Sequence, residues 1–136
     1  MPYKTIISQE DLTNNIDNKD FIIFDSRCDI KDRGYGIDSY TEGHIPNSIF
    51  VDVDTDLASE KQPGTGRHPL PKVETFCDKL SHWGMDSNKQ AVIYDDAGGA
   101  FAGRMWWMLK WLGHENVAVL DGGLNSWVKN GNKLVT

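Results

Sequence analysis

The stretch Ala91–Trp107, AVIYDDAGGAFAGRMWW, decides how the rest of the chain is read. It opens on a continuous apolar run, Ala91-Val92-Ile93-Tyr94, the pattern of a parallel strand buried on both faces. Asp95 and Asp96 follow, then Ala97-Gly98-Gly99-Ala100, then an aromatic-rich helical pattern from Phe101 to Leu112 closed by Gly113. A strand that runs through a glycine-rich loop into a helix start gathers backbone N–H groups, and the positive end of a helix dipole, around one point. Such loops hold an anion or stabilise a nucleophile, yet this one carries two carboxylates of its own. An external phosphate beside them would meet about 1 kcal/mol of repulsion per charge pair even in water. The conflict resolves if Asp95 turns back into its own loop and fills the nest of N–H groups itself.

The pattern outside this stretch repeats the same logic. Lys4–Ile7 reads as a short edge strand, with Ser8 as the N-cap of a small helix through Ile16 and Asp11 completing an acidic capping box. Phe21–Phe24 is a second doubly buried strand ending at Asp25, and Ser48–Val51 a third ending at Asp52. Between them, Ser26–Gly43 reads as a long polar loop with one helical turn near Ser39–Glu42. A polar loop at 54–71 leads to Pro71 at the first turn of a helix whose Val73, Phe76, Cys77, Leu80 and Trp83 form one buried face, with Gly84 as its C-terminal cap. Val117–Leu120 is a further strand, and a last helix carries Leu124, Trp127 and Val128 and stops at Asn130-Gly131. About five short strands alternating with helices imply an α/β fold, a mainly parallel sheet with helices on both faces. The domain is expected over residues 1–131, and Asn132–Thr136, with no partner element, as the start of an inter-domain linker.

The totals limit the function. A chain of 136 residues holds one domain with a real core. Its net charge of −6 argues against nucleic acid and against an anionic membrane surface as partners. Two cysteines without framework spacing fit a reducing, cytoplasmic compartment. The four histidines, His44, His68, His82 and His114, have no ligand-pair spacing, so no metal and no cofactor is expected. The loop at 97–103 lacks both the Lys-Ser/Thr ending of a P-loop and the spacing of a dinucleotide fingerprint.

Single residues read as follows. In open α/β sheets sites gather beyond the C-terminal strand ends, where Asp25, Asp52, Asp95 and Asp121 all fall. Asp is also a common turn and cap residue, which is the reading for Asp25, Asp52 and Asp121. Cys77 reads as an inert core thiol. Cys28 has Arg27, Lys31 and Arg33 near it in sequence, but Asp25, Asp29 and Asp32 equally near and no glycine cradle after it.

These pieces together resemble a known family. Phe24-Asp25, Tyr40-Thr41-Glu42-Gly43-His44-Ile45-Pro46, Phe50-Val51-Asp52, His68-Pro69-Leu70-Pro71, Val92-Ile93-Tyr94-Asp95, Arg104-Met105-Trp106-Trp107 and Val119-Leu120-Asp121-Gly122-Gly123-Leu124 with Trp127 run over nearly the whole chain. They look like a rhodanese domain, and more closely like the N-terminal half of tandem-domain thiosulfate and 3-mercaptopyruvate sulfurtransferases. The resemblance implies a cysteine directly after the central strand that takes a sulfur from a donor as a persulfide and passes it to cyanide or a thiol. Here that position is Asp95, which cannot form a persulfide. The implied role is the non-catalytic half of a sulfurtransferase. Its degenerate loop would be Asp95, Asp96, Ala97, Gly98, Gly99 and Ala100, and its partners a C-terminal catalytic rhodanese domain of the same polypeptide and a small sulfur-donor substrate. His44 would face the inter-domain cleft, where it either handles a proton or simply bonds a turn. Arg104 would pair with Asp95 or Asp96, or reach the partner domain. Trp106, Trp107 and Trp111 read as core, with some covering the inter-domain face. The alternative is a stand-alone, non-catalytic rhodanese homology module that binds a protein partner.

Overall fold

The computed structural model of the chain describes residues 3–58 and 70–136. Five strands form one sheet: β1 (Ile6–Ile7), β2 (Phe21–Asp25), β3 (Ser48–Phe50), β4 (Gln90–Tyr94) and β5 (Val117–Leu120). Their order is β1-β5-β4-β2-β3, and every pairing is parallel. Among the described residues five helices connect or follow them: α1 (Gln9–Asn14), α2 (Tyr35–Glu42), α3 (Val73–His82), α4 (Ala102–Trp111) and α5 (Gly123–Lys129).

The alternation of side chains along the strands divides the core in two. Ile22, Phe24, Ala91, Ile93 and Val117 face one side, against Phe76 and Leu80 of α3 and Met105, Met108 and Leu109 of α4. Ile23, Val92, Tyr94, Ala118 and Leu120 face the other, against Leu12 of α1 and Leu124 and Trp127 of α5. All five residues of β4 are buried, which is why its sequence has no polar alternation. Phe24 also meets Trp83 edge-to-face at 5.6 Å, a geometry worth roughly 0.5–1.5 kcal/mol beyond its burial.

Strand order sets the site. From β2 the chain leaves toward the edge strand β3; from β4 it leaves toward β5, on the opposite side. Adjacent strands whose connections diverge leave a crevice at their C-terminal ends. The β2–α2 and β4–α4 loops therefore meet there.

The structure corrects several sequence expectations. The turn expected near Ser39–Glu42 is a full helix beginning at Tyr35. Ser8 does cap α1, accepting from the Asp11 N–H at 3.1 Å, but that helix ends at Asn14. Cys77 is exposed, not core, and Val73 and Val128 are exposed too. On α3 the buried stripe is Phe76 and Leu80, flanked by half-buried Trp83; Cys77 lies about 100° around the helix from Phe76 and points away. Trp107 and Trp111 are 48% and 43% exposed and stack on each other at 5.9 Å, so neither belongs to the core. The tail has a partner after all. Val135 exchanges two backbone hydrogen bonds of 2.8 Å with His44, and Trp127 Nε1 donates to the Lys133 carbonyl at 2.9 Å. Most of the loop at 54–71, including His68 and Pro69, lies outside the described residues.

Candidate functional site

Beyond the end of β4 the loop folds around its own first side chain. Asp95 is 2% exposed. Its Oδ1 accepts from the N–H groups of Ala97 (2.9 Å) and Gly99 (3.0 Å), and its Oδ2 from those of Phe101 and Ala102 (both 2.9 Å). Phe101 and Ala102 are the N-cap and first residue of α4, so the carboxylate satisfies N–H groups that a helix start leaves open and sits on the positive end of its dipole. The turn depends on Gly98 and Gly99, at φ +71° and +94°, where an L side chain is strained. Behind the nest, Gly123 lies so close that an added Cβ would stand 2.6 Å from the Asp95 carbonyl oxygen, which accepts from the Leu124 N–H at 2.9 Å. The expected anion nest exists, and Asp95 occupies it.

Asp96 turns the other way. Its carboxylate accepts a short hydrogen bond from the Tyr35 hydroxyl, tying the β4–α4 loop to the first residue of α2. That bond, with burial and the carboxylate's charge behind it, raises the Tyr35 phenol above its ordinary range. Ala97, Gly98 and Ala100 are exposed along the rim of the loop.

His44 follows α2 and is held on several sides. Its Nδ1 lies 2.8 Å from the Tyr40 carbonyl, which can only accept, so Nδ1 carries a proton, and in the neutral ring Nε2 holds the lone pair. The ring stacks on Tyr40 with centroids 3.8 Å apart and planes 5° from parallel. Arg104 does not reach Asp95 or Asp96. Its Nε and Nη2 donate to the Leu57 carbonyl at 2.9 and 2.7 Å, and burial lowers its pKa.

Beneath the loops lies a buried polar cluster that the sequence reading did not assemble. Arg27 grips Asp25 through Nε and Nη2, with contacts from 2.7 to 3.1 Å, and the two side chains are 6% and 0% exposed. The Tyr94 hydroxyl donates to Asp25 Oδ2 at 2.8 Å. Burial first, and the Asp25 charge second, push that phenol far above its ordinary range. Burial alone would lower the Arg27 pKa, but its hydrogen bonds and charge contact with Asp25 raise it overall.

A family model described as a rhodanese-like domain matches residues 8–130. The chain belongs to that family. Its relatives include a probable 3-mercaptopyruvate sulfurtransferase of Pseudomonas aeruginosa, 41% identical over 124 residues, which cover 90% of this chain and 44% of that protein. The 3-mercaptopyruvate sulfurtransferase of Escherichia coli is 34% identical over 122 residues, covering 88% and 42%. Among solved structures, the 3-mercaptopyruvate sulfurtransferase from Leishmania major superposes with a TM-score of 0.89 at 30% identity, over 98% of this chain and 36% of that one. The chain thus spans less than half the length of these relatives.

Cys28 is half-buried in a setting that disfavours its thiolate. Burial, with the carboxylates of Asp54, Asp52 and Asp29 adding to it, pushes its thiol up to about 11. At neutral pH almost none of it is thiolate. Among the described residues no group of three or more His, Cys, Asp or Glu is placed to hold a metal ion, and no helix is long and apolar enough to cross a membrane. Asp52 serves its own turn, accepting from the Asp54 N–H at 2.8 Å. The Asp121 carbonyl accepts from Gln9 Nε2 at 2.6 Å. A groove of about 440 Å³ lined by Cys77, Met85, Leu112 and His114 lies near the starts of β4 and β5, away from the nest.

Tyr35, Tyr94 and Arg27 were missed as site residues for identifiable reasons. Tyr35 carries no signal inside a polar stretch. The other two do carry one. Asp25 and Arg27 are two apart in extended chain and so share a face, and Tyr94 shares a face with Val92 directly before the nest.

Proposed function

We propose that this chain is the non-catalytic, N-terminal-type half of a sulfurtransferase acting between thiosulfate or 3-mercaptopyruvate and cyanide or a thiol. The observation that carries the reading is Asp95. It stands where the family resemblance puts the cysteine, at the end of the central strand, and its carboxylate takes four N–H donors that would otherwise face an anionic sulfur. A carboxylate has no thiolate to attack a donor sulfur, and the nest leaves it no free lone-pair direction to act as a base. The loop of Asp95–Ala100 is then a structural wall of the cleft.

On this reading the sulfur chemistry is supplied by a C-terminal rhodanese domain of the same polypeptide, and this half contributes shape and His44, whose Nδ1 is held by the Tyr40 carbonyl while its Nε2 has no hydrogen-bond partner among the described residues. Arg104 shapes the same wall through Leu57. Relatives more than twice as long as the matched region support a two-part protein, and two free cysteines support a cytoplasmic setting. The test is thiosulfate-to-cyanide sulfur transfer by the 136-residue chain, with no turnover expected. Turnover that disappears in Cys28→Ser or in Asp95→Ala would overturn the proposal.

A further inference from the structure

We propose that Tyr94, backed by the buried Asp25–Arg27 pair, is the positioning residue that fixes the ring of His44. The two peptide groups flanking His44 are each anchored to one network. Arg27 Nη2 donates to the Gly43 carbonyl at 2.7 Å, and the Ile45 N–H donates to the Tyr94 hydroxyl at 3.2 Å. The same hydroxyl lies 3.0 Å from Ser48 Oγ, and the Ser48 carbonyl accepts from the Tyr40 hydroxyl at 2.7 Å. Tyr40 in turn supplies both the ring on which His44 stacks and the carbonyl that takes its Nδ1 proton. A closed path therefore runs Tyr94–Ser48–Tyr40–His44, and a second runs Tyr94–Ile45–His44. Tyr94 directly precedes Asp95, so the same strand end that opens the nest also carries the hydroxyl that reaches toward the histidine.

The energetics favour a positioning role over a simple stabilising one. A buried ion pair adds little net stability over apolar packing of the same volume, because desolvation consumes its Coulomb energy. What it does supply is register. Asp25 accepts from Arg27 and Tyr94 at once, and that fixes where Gly43 and Ile45 lie relative to β2 and β4. A histidine that only closed a turn would need its Nδ1 bond to Tyr40 and nothing deeper. The importance of this positioning rests on the sulfurtransferase reading above; the positioning itself does not.

The experiment is ring-nitrogen NMR on the 15N-labelled 136-residue chain, above the histidine titration range, with amide hydrogen exchange on the same samples. The wild type is expected to hold His44 as a single Nδ1–H tautomer. Tyr94→Phe keeps the ring packing and removes the hydroxyl. It is expected to bring in the Nε2–H tautomer, which an unconstrained histidine side chain prefers, and to speed exchange at Ile45 by roughly tenfold or more. Ser48→Ala cuts one of the two paths and is expected to shift the tautomer in the same direction by less. A purely stabilising Tyr94 would change exchange rates and leave the tautomer alone. Faster Ile45 exchange with an unchanged His44 tautomer therefore overturns the proposal. If Tyr94→Phe does not fold, an unchanged tautomer in Ser48→Ala overturns it instead. Neither readout uses a sulfur donor, so a failure here and a failure of the sulfur-transfer reading are separate results.

Discussion

Replacing Asp95 with alanine removes the side chain that fills the nest, and the structure sets the size of the effect. Four N–H groups lose a charged acceptor at 2.9–3.0 Å. Hydrogen bonds to charged groups contribute about 1.5–3 kcal/mol each, so a bare sum reaches roughly 6–12 kcal/mol. That sum overshoots. Ala97 is exposed and Gly99 and Phe101 are half-exposed, so water reaches three of the donors once the carboxylate is gone. Only the Ala102 N–H stays buried, and desolvation of Asp95 itself is recovered. About 2–4 kcal/mol is the expected loss, or roughly 6–15 °C in melting temperature for a chain of this size. The emptied nest is then a vacant anion site. Formate at ten times its dissociation constant should return about 1.4 kcal/mol to the variant by mass action and nothing to the wild type. Urea unfolding followed by circular dichroism, with chloride as the control anion, measures both quantities. A loss under about 0.5 kcal/mol would place the effect among ordinary surface substitutions and refute the reasoning. So would a variant that formate stabilises no more than it stabilises the wild type.

Three further outcomes are expected. Arg27→Ala strands the Asp25 carboxylate in the core and should cost about 3–5 kcal/mol in the same unfolding assay, whereas an exposed pair such as Lys110–Glu115 should cost well under 1 kcal/mol. All four tyrosines have raised phenol pKa values, so absorbance at the phenolate band should titrate above the ordinary tyrosine range of about 10. For Tyr94 the folded value exceeds the unfolded one; its contribution to stability is whole below the unfolded pKa and is lost as pH rises through the folded one, so Tyr94→Phe should flatten the alkaline loss of stability. Thiol labelling near pH 8 should modify exposed Cys77 well before Cys28, whose thiolate fraction there is only about one part in a thousand for a thiol at about 11. Equal rates in the native protein would contradict the lowered thiolate fraction of half-buried Cys28.

Elements with a strong local pattern could be read from sequence, and so could the nest. β2, β4 and β5 are unbroken apolar runs because both of their faces are covered, and Asp95 before two glycines and a helix start signals a filled nest without any structure. What escaped depended on contacts distant in sequence. α2 buries only Gly36 and so has no apolar stripe to reveal it. The tail reads as free until Val135 is seen paired with His44, 91 positions away in sequence (135 − 44). Cys77 had suitable spacing, but α3 buries a narrower stripe than a one-dimensional pattern suggests. Tyr94 looked like one more apolar strand residue, because its ring is buried like its neighbours and its hydroxyl works on partners 46 to 69 residues away. Periodicity records which face is covered, not what the polar tip of a buried side chain reaches.

The most direct measurement is the intact mass of the 136-residue protein after incubation with thiosulfate and, separately, with 3-mercaptopyruvate, with no reductant added. With Asp95 seated in the nest, no described thiol has an N–H cradle to hold an anionic sulfur, and the mass should remain that of the unmodified chain. A stoichiometric gain of one sulfur, released as thiocyanate on adding cyanide and absent from Cys28→Ser, would mean that this chain carries the chemistry itself and would contradict the account.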